Sequence, residues 1–312
     1  DAFGAVLIEG PKWCGKTTTA SQLANSILRM QDPSMREEYL ATAKTKPSIL
    51  LKGDTPRLID EWQDAPMLWD AVRTTVDDRQ VPGQFILTGS NAVDKSQIHH
   101  SGAGRIARLR MLPMSLWESQ ESTGEVSLKE LFNNPDYDID GKMSKMTVED
   151  LIFAASRGGW PASLLARTPK AQLLVAKNYV QTICSDDVSG IDGKKRDAKL
   201  TSMILRAYAR NVSTLVKKKS LLDDVTSSGE VSCHIDTFDD YVSALEKLFV
   251  IQNISAWCPA IRSKTAIRSS VKRCFCDPSI PIALLGLSPE ALSMQLRTFG
   301  FIFEQMCIRD LK

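Results

Sequence analysis

Along the first third of the chain, short apolar runs alternate with polar helical stretches, whereas beyond residue 147 the apolar positions mostly follow helical spacing. Ala5-Val6-Leu7-Ile8 predicts a strand that leads through a glycine-containing loop into a helix beginning near Lys16. Leu58-Ile59 predicts a second strand ending in Asp60, and Gln84 to Leu87 a third that runs out into Gly89-Ser90-Asn91. Alternation from Gly104 to Ser115 predicts a fourth. Strands interleaved with helices specify an α/β core.

The second half reads differently. Residues 119–146 are polar and acidic, are broken by Asn133-Asn134-Pro135, and read as a linker or insertion. Thr147-Val148-Glu149-Asp150 starts a helix with Thr147 as its N-cap, and helical spacing runs from Leu151 to Ile183 except at a tight turn, Gly158-Gly159-Trp160-Pro161. Lys199 to Val225 continues helical and carries Lys217, Lys218 and Lys219. Thr237 is expected to cap a further helix with Phe238, Tyr241, Val242, Leu245, Leu248 and Phe249 on one side. Val250 to Ile254, a basic loop with Arg262, Lys264, Arg268, Lys272 and Arg273, and Cys274-Phe275-Cys276 complete the order expected of a winged helix. The expected division is therefore a core at 1–118, a linker at 119–146, a helical region at 147–196, a winged-helix-like domain at 197–285 and the start of another domain at 286–312.

The chemistry is concentrated where the first strand meets its helix. Gly10-Pro11-Lys12-Trp13-Cys14-Gly15-Lys16-Thr17 matches G-x-x-x-x-G-K-[ST], in which backbone N–H groups at a helix N-terminus wrap phosphates. Residues Gly10 to Thr18 are the candidate nucleotide-binding stretch: Lys16 reaches the β- and γ-phosphates and the Thr17 hydroxyl ligates Mg²⁺. Trp13 either stacks on a base or packs over the loop, and Cys14 reads as a bystander rather than a nucleophile. Asp60 fits the acidic Walker B position that holds Mg²⁺ through its water shell, and Glu61 is placed to deprotonate the attacking water. The third strand should lie between these two, so that Ser90 or Asn91 at its tip meets the γ-phosphate or the water. Arg105 is either a finger that reaches a neighbouring subunit's site or a surface charge. Guanine-nucleotide motifs are absent: Asp60 is followed by Glu61-Trp62-Gln63, and no N-K-x-D occurs.

Composition narrows the alternatives. The 312 residues are 43% hydrophobic with a net charge of +2, which excludes collagen, coiled coil and wholesale disorder and makes any nucleic-acid surface local. No apolar run approaches the ~20 residues of a membrane span, so no membrane association is expected. Seven cysteines without a C-x-x-C and only three histidines leave little for a zinc site or a Ser-His-Asp hydrolase. Free thiols and the lack of a leader suit a cytoplasmic protein, and a chain opening at Asp1 on an apolar strand is expected to be a piece of a longer one. Asp136 to Gly141 imitates half a calcium loop, but the closing acid would fall at Thr147. DNA is not the favoured partner: the basic loop and Lys217 to Lys219 would attract it, but Asp239, Asp240 and Glu246 on the candidate recognition helix would repel phosphates.

Taken in order, Gly10 to Thr17, Leu58 to Gln63, Leu87-Thr88-Gly89-Ser90, Gly104-Arg105 and Leu112 to Glu118 resemble the prokaryotic AAA-type ATPases. More narrowly they resemble the branch joined to a C-terminal domain of unknown function, to which Gly158-Gly159-Trp160-Pro161 and Phe299 to Glu304 are also similar. The resemblance implies a P-loop NTPase core with a parallel sheet, AAA-like, followed by a mainly helical and winged-helix domain. It implies ATP and Mg²⁺ as ligands, ATP hydrolysis as the activity, and a homo-oligomer if Arg105 works in trans. A nucleotide-gated binding switch with little turnover is the alternative. Beyond Glu304 that branch continues into a restriction-nuclease-like fold whose later acidic and lysine positions this sequence lacks, so no nuclease activity is implied.

Overall fold

The computed structural model describes residues 2–93, 98–227, 229–257 and 270–312. They divide into two compact units, one comprising Asp1–Leu112, Ile191–Gly193 and Ser243–Val250, the other Pro113–Gly190, Lys194–Val242 and Ile251–Lys312.

In chain order the first unit contains β1 (Ala5–Glu9), α1 (Lys16–Leu23), β2 (Ser26–Arg29), α2 (Arg36–Thr45), β3 (Arg57–Asp60), α3 (Met67–Arg79), β4 (Phe85–Gly89) and β5 (Ile106–Arg110). The strands form a five-stranded sheet in the order β2-β3-β4-β1-β5, every pairing parallel. β4 lies between β1 and β3, as its expected position required, and its Phe85-Ile86-Leu87-Thr88-Gly89 run is buried throughout. Continuous burial is what a parallel strand covered on both faces needs. Side chains alternate between the faces. Leu7, Ile59, Phe85 and Leu87 pack on one face with Leu68, Trp69 and Val72 of α3, while Ile8, Leu58 and Ile86 pack on the other with Ala20 of α1. Arg108 and Arg110 belong to an edge strand. The sequence pattern passed over β2, whose Ser26-Ile27-Leu28-Arg29 is too short and half-exposed to show a period.

The second unit is mainly helical. It contains α4 (Leu128–Asn133), α5 (Val148–Arg157), α6 (Pro161–Leu165), α7 (Pro169–Thr182), α8 (Val188–Gly190), α9 (Ala198–Arg210), α10 (Lys218–Thr226), most of α11 (Ile235–Lys247), α12 (Ser279–Leu285), α13 (Pro289–Ser293) and α14 (Leu296–Asp310). Thr147 caps α5 as expected: its hydroxyl accepts from Asp150 N at 3.1 Å while the Asp150 carboxylate accepts from Thr147 N at 2.9 Å, a closed capping box.

Two helix expectations are corrected. The stretch from Lys199 to Val225 is two helices, because Ser213 takes a positive φ of 59° and is drawn out of the helix by bonds from its N to Arg273 O (2.8 Å) and from its hydroxyl to Phe301 O (2.9 Å). The helix assigned to start at Thr237 starts at Ile235, its first turn closed by Phe238 N on His234 O. After α11 come two antiparallel bridges, Ile251 to Phe275 and Ile254 to Lys272, in place of full strands. Arg262, Lys264 and Arg268, on which the basic loop rests, lie outside the described residues.

The Gly158 to Pro161 turn sits over a closed charge cluster. Asp277 is fully buried, and its Oδ1 accepts from Ser279 N (2.9 Å) and Ser279 Oγ (2.5 Å), its Oδ2 from Gly159 N (3.0 Å) and from the Arg309 guanidinium (2.9 Å). Trp160 is fully buried and donates its indole N–H to Ser279 Oγ at 3.0 Å. Gly159 must be glycine, since a Cβ there would lie 2.0 Å from Met114 O. Burial alone would depress the Arg309 pKa, but Asp277 and Asp310 outweigh it and hold the guanidinium above its ordinary value.

Candidate nucleotide-binding site

The loop between β1 and α1 is shaped by close approach. Gly10 packs against the segment following β5 so tightly that a Cβ would lie 2.1 Å from Met111 O. Trp13 has φ 65°, a conformation L residues seldom adopt, and its side chain is about half exposed. Gly15, at φ 104°, is the N-cap that turns the chain into α1. Lys16 is buried, and its ammonium donates to Pro11 O at 2.7 Å and reaches Cys14 Sγ at 4.0 Å. Three N–H donors on that ammonium leave one for a phosphate at the helix N-terminus. Cys14 is buried, and its burial pushes the thiol pKa up despite Lys16 beside it.

Parallel register brings the rest of the site to the same edge of the sheet. Thr17 Oγ1 donates to Asp60 Oδ1 at 2.7 Å, joining the loop to the end of β3 across 43 residues of sequence. Thr88 on β4 donates to the same oxygen at 2.7 Å and accepts from Glu61 N at 3.1 Å. Glu61 stands in the left-handed region, φ 56° and ψ 49°, where β3 breaks into a short 3₁₀ turn over Trp62–Asp64. Its Oε2 accepts from Ser90 Oγ at 2.9 Å and from the Gln63 side-chain amide. Ser90, Asp60, Glu61, Thr17 and Lys16 thus meet at one end of the sheet.

Thr88 and Gln63 were not singled out from the sequence. Thr88 sits one pleat below the strand tip and reveals itself only through the β3–β4 pairing, while Gln63 reads as one more polar residue after the acidic pair.

Arg105 falls elsewhere. It precedes Ile106, which pairs with Ala5 at the beginning of β1, so it lies at the opposite end of the sheet from the loop. Its guanidinium is half-exposed and pairs with Asp77 at 2.7 Å. Arg105 therefore contributes nothing to the site of its own chain.

The oxygen set suits a hard divalent cation held by few protein ligands. Among the described residues no group of three or more His, Cys, Asp and Glu is placed to hold a metal. Mg²⁺ asks for less, one or two oxygen ligands plus substrate phosphates, and Thr17 with Asp60 can supply them. Among those residues too, no helix is long and apolar enough to cross a membrane.

Residues 2–120 match the family model described as an AAA domain, and residues 148–291 match one described as a domain of unknown function (DUF8612). The first match agrees with the parallel sheet and the phosphate loop: the N-terminal part has the P-loop NTPase fold and is similar to AAA domains. Two curated relatives, uncharacterised proteins of Mycobacterium bovis and Mycobacterium tuberculosis, are each 24% identical over 317 residues, covering 96% of this chain and 62% of the relative. The chain thus spans less than two thirds of their length. Among solved structures it is similar to the Walker-type ATPase paby2304 of Pyrococcus abyssi, at 12% identity and a TM-score of 0.49 over 91% of each chain.

Proposed function

We propose that the first unit binds ATP with Mg²⁺ and hydrolyses it. The observation that carries this is the bond between Thr17 and Asp60, with Glu61 next in the chain: the phosphate loop, the metal oxygens and a carboxylate able to act as base share one edge of the sheet. Lys16 and the loop N–H groups hold the β- and γ-phosphates. Mg²⁺, when bound, neutralises charge on the phosphates. Thr17 and Asp60 fix that ion, Glu61 accepts the proton of the attacking water, and Ser90 orients the Glu61 carboxylate. The test is nucleotide affinity and turnover in Lys16→Ala. Loss of the buried cation should weaken ATP binding by at least 10-fold and abolish turnover, and a parent chain that binds no nucleotide would refute the assignment.

A second function, a nucleotide-gated switch with slow turnover, is favoured by one detail. Two donors already occupy Glu61 Oε2, so that oxygen is engaged within the chain and must give up a partner before it can take a proton from water. The output of such a switch would pass through the winged-helix-like region to a protein partner rather than to DNA. Of the basic run within that region, Lys218 is engaged by Asp239 at 2.8 Å, which weakens its claim on phosphates. A parental turnover that is fast and independent of any partner excludes the switch.

Arg105 would act only in trans. Mass in solution with and without ATP, compared between parent and Arg105→Ala, decides this: a finger requires an ATP-dependent oligomer in which Arg105→Ala lowers turnover at least 10-fold. A monomer under both conditions leaves Arg105 as a surface ion pair.

A further inference from the structure

A cavity of about 560 Å³ lies inside the first unit, within the size range of small-molecule sites. It is distinct from the phosphate loop. Leu7 and Glu9 of β1 line it, and they point to the face opposite Ile8, which packs on α1. Its apolar wall also includes Trp62, Val93 and Ile98.

Three features make this a built site rather than a gap. Arg108 and Arg110 line it, each about half exposed, with Arg108 stacked over Trp69 at 5.0 Å and Arg110 over Phe249 at 4.6 Å. Both guanidinium groups thus lie over aromatic rings. Each arginine gives one N–H to Glu9, at 3.4 and 3.3 Å, longer than the 2.7–2.9 Å of a tight charge-assisted bond. Two cations thus share one carboxylate loosely and retain most of their donors. Asn91, also in the wall, has a buried Oδ1 with no hydrogen-bond partner, an acceptor awaiting a donor. On the far side of the cavity the wall at His99 and His100 is anchored by Trp69 Nε1 on His100 O at 2.8 Å and His99 N on Asp70 at 3.2 Å.

We propose that this cavity is a second ligand site, for a small organic anion with an aromatic or alicyclic body and one N–H or O–H donor. The acidic group pairs with the Arg108 and Arg110 forks, the body rests on Leu7, Trp62 and Val93, and the donor satisfies Asn91 Oδ1. Occupancy would be felt at the nucleotide site, because Trp62 follows Glu61 and Asn91 follows Ser90 in the chain. This coupling rests on the role proposed for Glu61, whereas the binding does not.

Anilinonaphthalene sulfonate carries an acidic group, an aromatic body and one N–H, and serves as the probe. A fluorescence titration of the folded parent should show one saturable site that excess ATP does not displace and that Lys16→Ala retains. Arg108→Gln with Arg110→Gln should weaken it at least 10-fold. Val93→Trp, which fills the cavity without altering a charge, should abolish it. No saturable site in the parent, or equal affinity in all four proteins, overturns the proposal. Saturating probe should change parental ATP turnover at least 2-fold. Arginine-dependent binding with unchanged turnover removes the coupling alone, and binding to a parent that has no turnover discards hydrolysis but keeps the site.

Discussion

Each unit of this protein holds a carboxylate among hydrogen-bond donors, and the two are built to different ends. In the second unit Asp277 is sealed: backbone N–H groups, a hydroxyl and a buried guanidinium occupy both of its oxygens. In the first, Asp60 takes two hydroxyls on one oxygen, and Glu61 takes a hydroxyl and an amide on one oxygen. Hydroxyls rotate and can be exchanged for a metal's water shell, while backbone amides and a buried arginine cannot. Closure marks a carboxylate that holds structure, and replaceable donors mark one that can act on a ligand.

The contrast breaks if the two clusters respond alike to substitution. Glu61→Gln should lower ATP turnover by about 10²–10⁴-fold, the usual worth of a positioned base, while shifting the unfolding free energy by less than ~0.5 kcal/mol. Steady-state turnover and urea unfolding measure the two separately. Asp277→Ala should do the reverse. It leaves Arg309 buried with Asp310 as its remaining partner, so unfolding of the second unit should be eased by about 3–5 kcal/mol. Nucleotide affinity below the transition should be unchanged. Ser90→Ala removes one donor to a charged acceptor and should slow turnover by about 10-fold with KM for ATP unchanged. A stability loss larger than the rate loss in that variant would place Ser90 with the structural cluster instead.

The same division explains what the sequence could reveal. Lys16 and Thr17 were legible because the phosphate-loop spacing is local, and Asp60 because it ends a short apolar strand. Ser90 was legible only with β4 assumed to run between β1 and β3, which the sheet order bears out. Thr88 acquires its contacts from lateral pairing, which no single-strand pattern encodes, and Gln63 from the 3₁₀ turn that folds it back on Glu61. The Asp277 cluster was invisible for a related reason: Gly159 and Asp277 are separated by 118 residues, and nothing local marks Asp277 as the partner of the Gly158 to Pro161 turn. The break near Ser213 escaped notice because its cause is tertiary: bonds to Arg273 and Phe301 override a sequence that reads as continuous helix.

The order of strands also sets a timetable for synthesis. β1 pairs only with β4 and β5, so Ala5 waits for Phe85 and then Ile106 before either edge is satisfied. At roughly 5–20 residues per second, a ribosome leaves this apolar strand unpaired for about 4–16 s. The nascent chain therefore carries its phosphate loop long before the loop has a sheet to stand on, and shielding Ala5 to Ile8 during that interval falls to whatever meets the chain at the exit tunnel.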